Sequence, residues 1–274
     1  SSTMSGRFPR STGIFSNSAG VVDPNYRLLA GLPNENGAAP DRFRGTTLFD
    51  WMRARNSSTR ALSVSAKDRG AILMIGKAKE QVYWYTSLGQ FTTSTYYSDT
   101  MPAWVHDFNA RRLPYSYAGS AWRLSRDSSS YPQPDAVPFE NRGDNTTFPH
   151  ALPPDSIRAA NALRATPMMD SITALLALEG LRRMDLGRGP HTDLLAVSFS
   201  ATDYVGHAYG PDSREAYENQ VRLDETIGWF IDSLYRLRDS STIVFALTAD
   251  HGSVRDPAVT GGGLIAAFAV QDVA

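Results

Sequence analysis

Two residue pairs in the C-terminal third could do metal chemistry. Asp203 and His207 stand four apart in Asp203-Tyr204-Val205-Gly206-His207, and Asp250 is followed directly by His251. Carboxylate oxygen and imidazole nitrogen are ligands for zinc, at about 2.0–2.2 Å. On a helical turn the four-residue spacing puts Asp203 and His207 on one face; taken alone, it also fits an ordinary helical i,i+4 pair. Adjacent residues diverge in a regular strand, so Asp250 and His251 can share a cluster only at an irregular strand end, here leading into Gly252. Gly206 gives the backbone freedom beside His207. The chain has no cysteine, which excludes disulfides and thiolate ligands, so any metal must be held by His, Asp or Glu.

Both pairs need elements that bring them together. LLAVSF at 194–199 and TIVFALT at 242–248 are continuous apolar runs, the pattern of strands buried on both faces in a parallel sheet. Between them Leu223, Ile227, Phe230, Ile231, Leu234 and Leu237 recur at spacings of three and four. This predicts an amphipathic helix over about 213–237, capped by Asp212 with Glu215 three residues on. A second helix is predicted over about 167–184, with Thr166 as N-cap and Pro167 first, stopped by Gly187 and Gly189. ALSVSA at 61–66 reads as a further buried strand and TLFDWMRAR at 47–55 as the helix before it. Helix, strand, helix, strand is the order of an α/β fold, a doubly wound, mostly parallel sheet with helices on both faces. Ligands in such sheets bind beyond the C-terminal strand ends, where both pairs fall.

Residues 81–150 differ in composition, rich in aromatics, Ser, Pro and Gly. Around them, 77–165 reads as a cap inserted into a core formed by 1–76 and 166–274. QVYWYTSLGQFTTSTYY suggests a hairpin turning near Gly89, and Tyr83, Trp84, Tyr96, Tyr97 and Trp122 are assigned to packing. His106, His150 and His191 have no ligand-spaced partner and are assigned structural or solvated roles. With 274 residues, 42% of them hydrophobic, the chain can bury a substantial core. A net charge of -1 predicts no general attraction to a nucleic-acid polymer or an anionic membrane. No apolar run approaches the roughly 18–20 residues of a membrane span. The oligomeric state is not encoded in any pattern here.

The words around the two pairs, SFSATDYVGHAYGPDSREAYENQVRLDETI and ALTADHGSV, resemble the alkaline phosphatase superfamily. The branch is that of type I phosphodiesterases, nucleotide pyrophosphatases and single-domain zinc alkaline phosphatases. The resemblance implies an alkaline phosphatase-like fold and two Zn2+ ions, with Asp203 and His207 on one and Asp250 and His251 on the other. SGRFPRSTGIFSN resembles the segment after the family's nucleophile, where Asn17 matches an Asn that contacts substrate phosphate. LSVSAKDRGAI resembles a motif of the phosphomonoesterase subgroup, which assigns Lys67 and Arg69 to the non-bridging phosphate oxygens. A monoester dianion carries one more charge than a diester monoanion, so two local cations favour monoesters, and Arg can make a forked contact.

The implied activity is alkaline phosphatase-type hydrolysis of small phosphate monoesters through a phosphorylated Thr or Ser. Phosphodiester or nucleotide pyrophosphate cleavage by the same metals is the alternative, and a catalytically inactive metal-binding fragment is another. The family nucleophile and first Asp ligand are expected upstream of Ser1, and the last His ligand beyond Ala274. The resemblance therefore implies a fragment of a periplasmic or secreted enzyme.

Overall fold

The computed structural model describes residues 2–16, 18–33 and 35–252. Three short helices, α1 (Ser2–Ser5), α2 (Pro9–Thr12) and α3 (Ser18–Val21), lead into the antiparallel pair β1 (Val22–Arg27) and β2 (Asn36–Ala38). There follow α4 (Leu48–Arg55), β3 (Ala61–Ser65), α5 (Asp68–Ile75), β4 (Gln81–Tyr85), β5 (Phe91–Thr92) and α6 (Ala103–Ala110). A second small pair, β6 (Ala121–Trp122) and β7 (His150–Ala151), precedes α7 (Ser156–Ala162) and α8 (Met168–Arg183). The described chain then runs through β8 (Leu194–Ser198), α9 (Ala201–Tyr209) and α10 (Arg214–Leu237).

The central sheet has the order β5-β4-β3-β8, with β4, β3 and β8 parallel and β5 antiparallel at its edge. Every residue of β3 is buried, as its run of small and apolar residues predicts, Ser63 and Ser65 included. Alternation sorts the side chains into two cores. Leu62, Val64, Tyr83 and Tyr85 pack with Met169, Ile172 and Leu176 of α8. Ala61, Val82 and Trp84 pack with Ala71, Ile72 and Ile75 of α5. Helices thus cover both faces, the predicted α/β class. One glycine permits each close approach: a Cβ on Gly180 of α8 would lie 2.4 Å from Leu62 Cδ2, and one on Gly70 of α5 would lie 2.4 Å from Ser65 Oγ.

The expected helices at 47–55, 167–184 and 213–237 are α4, α8 and α10. α4 opens with a capping box between Thr47 and Asp50. The other two caps differ from expectation. Thr166 donates its hydroxyl to Leu163 O and closes the preceding 3-10 turn, so α8 has no side-chain cap. α10 is capped by Ser213, whose Oγ accepts from Ala216 N at 3.0 Å, one residue beyond Asp212. Glu215 is unavailable for a capping box because it is fully buried against His150.

Two larger expectations are corrected. Residues 242–248 do not form a sheet strand: a 3-10 turn at Ser240–Thr242, capped by Asp239, is followed by unpaired chain. Val244 is 95% exposed and Leu247 84%. Strand propensity requires a hydrogen-bonding neighbour, and among the described residues β8 pairs with β3 only. This segment lies beside α10 instead, with the Phe245 ring 5.9 Å from that of Tyr235. The second correction concerns the cap. The hairpin turns at Gly89, whose φ is +77°, but its strands β4 and β5 belong to the sheet, so a boundary at 77 cuts into the core. Outside the sheet, Trp122 of β6 packs against Val205 and Tyr209 of α9, with Phe148 beside it. Glu218 of α10 fixes the same region by accepting from Ser125 Oγ at 2.8 Å and from the Tyr131 hydroxyl. Among the described residues, no helix is long and apolar enough to cross a membrane.

Candidate functional site

The register Ser65↔Ser198 brings the C-terminal ends of β3 and β8 side by side, so the loops leaving them share one edge of the sheet. Lys67 stands two residues past β3 and Asp203 lies in the first turn of α9. Their side chains meet in an ion pair between Lys67 Nζ and Asp203 Oδ2, and Nζ also lies 4.5 Å from the centre of the Tyr204 ring. Serines line the floor of this edge. Ser65 Oγ accepts from Lys67 N at 3.0 Å and lies 3.1 Å from Ser200 Oγ. Lys67 is therefore held by backbone, carboxylate and ring together.

Asp203 and His207 share a face of α9, with His207 Nε2 3.5 Å from Asp203 Oδ1. The helix is regular through Gly206, so that residue's backbone freedom is not used. His251 Nε2 approaches the same oxygen at 3.6 Å and is also 3.6 Å from Asp250 Oδ2. Asp203 Oδ1 thus faces two imidazoles while Oδ2 is engaged by Lys67. Two ligands on a tetrahedral ion with arms of about 2.0–2.2 Å stand roughly 3.3–3.6 Å apart, so the pair spacings and donor types suit a divalent ion. Among the described residues no group of three donors is assembled around one point. His207, Asp250 and His251 are exposed. Burial raises the Asp203 carboxyl, but the Lys67 ammonium, with His207 and His251, outweighs it and holds the group below the usual carboxylate range.

Of the expected phosphate ligands, Lys67 lies in this cluster. Arg69 sits in the first turn of α5, its guanidinium 3.9 Å from Asp68 Oδ1. Asn17 lies outside the described residues. Of the other histidines, His106 is exposed, His191 Nε2 is 3.4 Å from Asp193 Oδ1, and His150 is buried with Nε2 2.8 Å from Glu215 Oε1.

Sequence reasoning missed Asp170 and Glu140. Asp170 of α8 is fully buried, accepts from Ala201 N at 3.1 Å, and is pushed by burial up to about 7. Its one signal is position: a carboxylate inside the apolar run MMDSITALLALEG, on the helix's inward stripe. Glu140 has no such signal, since it lies in an irregular segment.

Comparison with known proteins gives a consistent picture. A family model described as type I phosphodiesterase / nucleotide pyrophosphatase matches residues 1–257. The chain is 36% identical over 244 residues to alkaline phosphatase PhoV of Synechococcus elongatus, covering 86% of this chain and 44% of that protein. It is 30% identical over 223 residues to alkaline phosphatase PafA of Elizabethkingia meningoseptica, covering 78% of this chain and 41% of that protein. The crystal structure of wild-type PafA superposes with a TM-score of 0.75 at 27% identity, over 86% of this chain and 49% of the other. The chain spans less than half the length of these two curated relatives. The match runs through both Asp/His words and most of the described fold, and the chain belongs to the type I phosphodiesterase / nucleotide pyrophosphatase family.

Proposed function

We propose that this chain supplies the metal- and phosphate-binding part of a zinc-dependent phosphate-monoester hydrolase of the alkaline phosphatase type. The observation that carries the reading is the meeting of His207, His251 and Lys67 on the two oxygens of Asp203 at the C-terminal edge of the sheet. Asp203 and His207 would hold one of two Zn2+ ions, and Asp250 and His251 would contribute to the other. Bound there, the ions supply Lewis-acid stabilisation of the charge that develops on phosphoryl and leaving oxygens. Lys67, paired with Asp203 Oδ2 here, would turn toward the non-bridging phosphate oxygens once an ion occupies Asp203, adding positive charge where charge develops. Arg69 and Asn17 would complete the cradle for the non-bridging oxygens. The family resemblance implies a Thr or Ser hydroxyl as the nucleophile. The reading places the enzyme in the periplasm or outside the cell, acting on small phosphorylated molecules.

Charge is the reason to favour monoesters over diesters. The test compares a monoester with a diester substrate on the longer protein that contains this chain. Each charged hydrogen bond is worth about 1.5–3 kcal/mol. Replacing Lys67 and Arg69 by Ala should therefore lower monoester kcat/KM by roughly 10–100-fold per residue, with a smaller effect on the diester. A monoester preference that survives both substitutions overturns the assignment of these cations. A diester preference in the unsubstituted protein favours the phosphodiesterase reading, and absence of turnover on either substrate favours an inactive metal-binding chain.

A further inference from the structure

α9 carries Asp203 and His207, yet it begins without a cap of its own. Ser200 occupies the N-cap position and makes no capping bond, its hydroxyl lying 3.1 Å from Ser65 Oγ and 3.5 Å from Ser198 Oγ. The first amides of a helix have no partner within the helix and must find one elsewhere. Here the partner comes from another helix, α8: Ala201 N donates to Asp170 Oδ1 at 3.1 Å. The Ser200 amide also favours the charged form of this carboxyl.

Asp170 is 0% exposed, and its second oxygen has no hydrogen-bond partner among the described residues. A carboxyl buried in this way is costly unless local charge offsets it. Two features offset part of that cost: the amide end of α9, equivalent to about +0.5 of a charge, and the nearby Lys67 ammonium. An apolar residue at 170 would suit the core better but would strand the first amides of α9. Asp203 is only the third helical residue, so fraying of the first turn releases it, and His207 follows one turn later.

We propose that Asp170 is a positioning residue for the site: its carboxyl caps α9 from α8 and fixes where Asp203 and His207 stand. The effect on ion binding rests on reading those two residues as divalent-ion ligands; the capping of α9 does not. Partners that orient ligands in this way typically change metal affinity by about 10–100-fold when removed.

The test uses the 274-residue chain and its Asp170→Ala and Asp170→Asn variants, with two readouts. Amide hydrogen exchange at 200–204 is compared with exchange in α8 and α10, and zinc affinity is measured by calorimetry. Asp170→Ala should speed exchange at 200–204 by at least about tenfold, leave α8 and α10 protected, and weaken zinc binding by about 10–100-fold. Asp170→Asn keeps an acceptor oxygen of the same shape and should restore both to within about threefold of the original. Unchanged protection in Asp170→Ala, or equal loss in both variants, overturns the proposal. If Asp170→Ala does not fold, Asp170→Asn decides: protection kept at 200–204 supports the capping role and protection lost there overturns it. If the unsubstituted chain takes up no zinc while the exchange contrast holds, the capping role stands and the ligand reading of Asp203 and His207 fails.

Discussion

Replacing Glu140 by Gln should remove a large part of the loss of stability this protein suffers as pH rises. Glu140 is 3% exposed, and its Oε2 has no hydrogen-bond partner among the described residues. Burial, with Glu215 and Asp135 nearby, pushes its carboxyl from the ordinary 4.5 up to about 8. Below about pH 4.5 both folded and unfolded chains hold the proton, so the group costs nothing. Between there and about pH 8 the unfolded chain has released it and the folded chain has not, so stability falls as pH rises. At about 1.36 kcal/mol per pH unit the full displacement corresponds to about 5 kcal/mol, a ceiling that water entry and local relaxation reduce to about 2–3. Gln has no proton to lose. The two proteins should match near pH 4.5, and Glu140→Gln should be the more stable by about 2–3 kcal/mol at pH 9. Asp170 has the same sign but is present in both proteins, so it cancels in the difference. Urea unfolding at pH 5, 7 and 9 measures this. A difference that does not change with pH, or a variant less stable at pH 9, refutes the reasoning.

Two further outcomes follow from packing. Gly70→Ala places a Cβ 2.4 Å from Ser65 Oγ and 3.1 Å from Ser198 Oγ, so α5 must move away from the strand ends. It should cost about 1–3 kcal/mol in urea unfolding despite alanine's better helix propensity, and Ser65→Ala in the same chain should recover part of that. Trp122→Ala opens a cavity against Val205 and Tyr209 and should cost about 3–5 kcal/mol. Trp122→Phe should cost far less, because the indole N–H has no partner to lose among the described residues.

The parts of the fold legible in the sequence are those where one signal dominates. β3 and β8 are short runs of apolar and small residues, and such runs become sheet strands once a parallel neighbour exists, β3 fully buried and β8 mostly half-buried. TIVFALT carries the same signal and is not a strand, because the neighbour is a property of the fold and not of the segment. In sequence β4 reads as a hairpin strand of the cap, whereas it belongs to the sheet. In QVYWY the aromatics carry polar tips and the surrounding composition resembles a surface hairpin, yet their rings fill both cores. Cap positions slipped by a residue at α10 because Asp212 and Ser213 are both good N-caps, and the local sequence does not choose between them. In the site, the spacing of Asp203 and His207 and the edge location of Lys67 were readable from periodicity and motif. Asp170 was not, since nothing local tells a carboxyl on an apolar stripe which distant helix it will cap.

The account depends on Asp203, His207, Asp250 and His251 holding divalent ions. The most direct measurement is anomalous X-ray diffraction at the zinc edge on crystals of this chain grown with zinc. The account predicts zinc peaks at about 2.0–2.2 Å from Asp203 and His207 and from Asp250 and His251, with Lys67 turned away from Asp203 to make room. Zinc bound only elsewhere, or an intact Lys67–Asp203 ion pair beside metal-free imidazoles at saturating zinc, would contradict it.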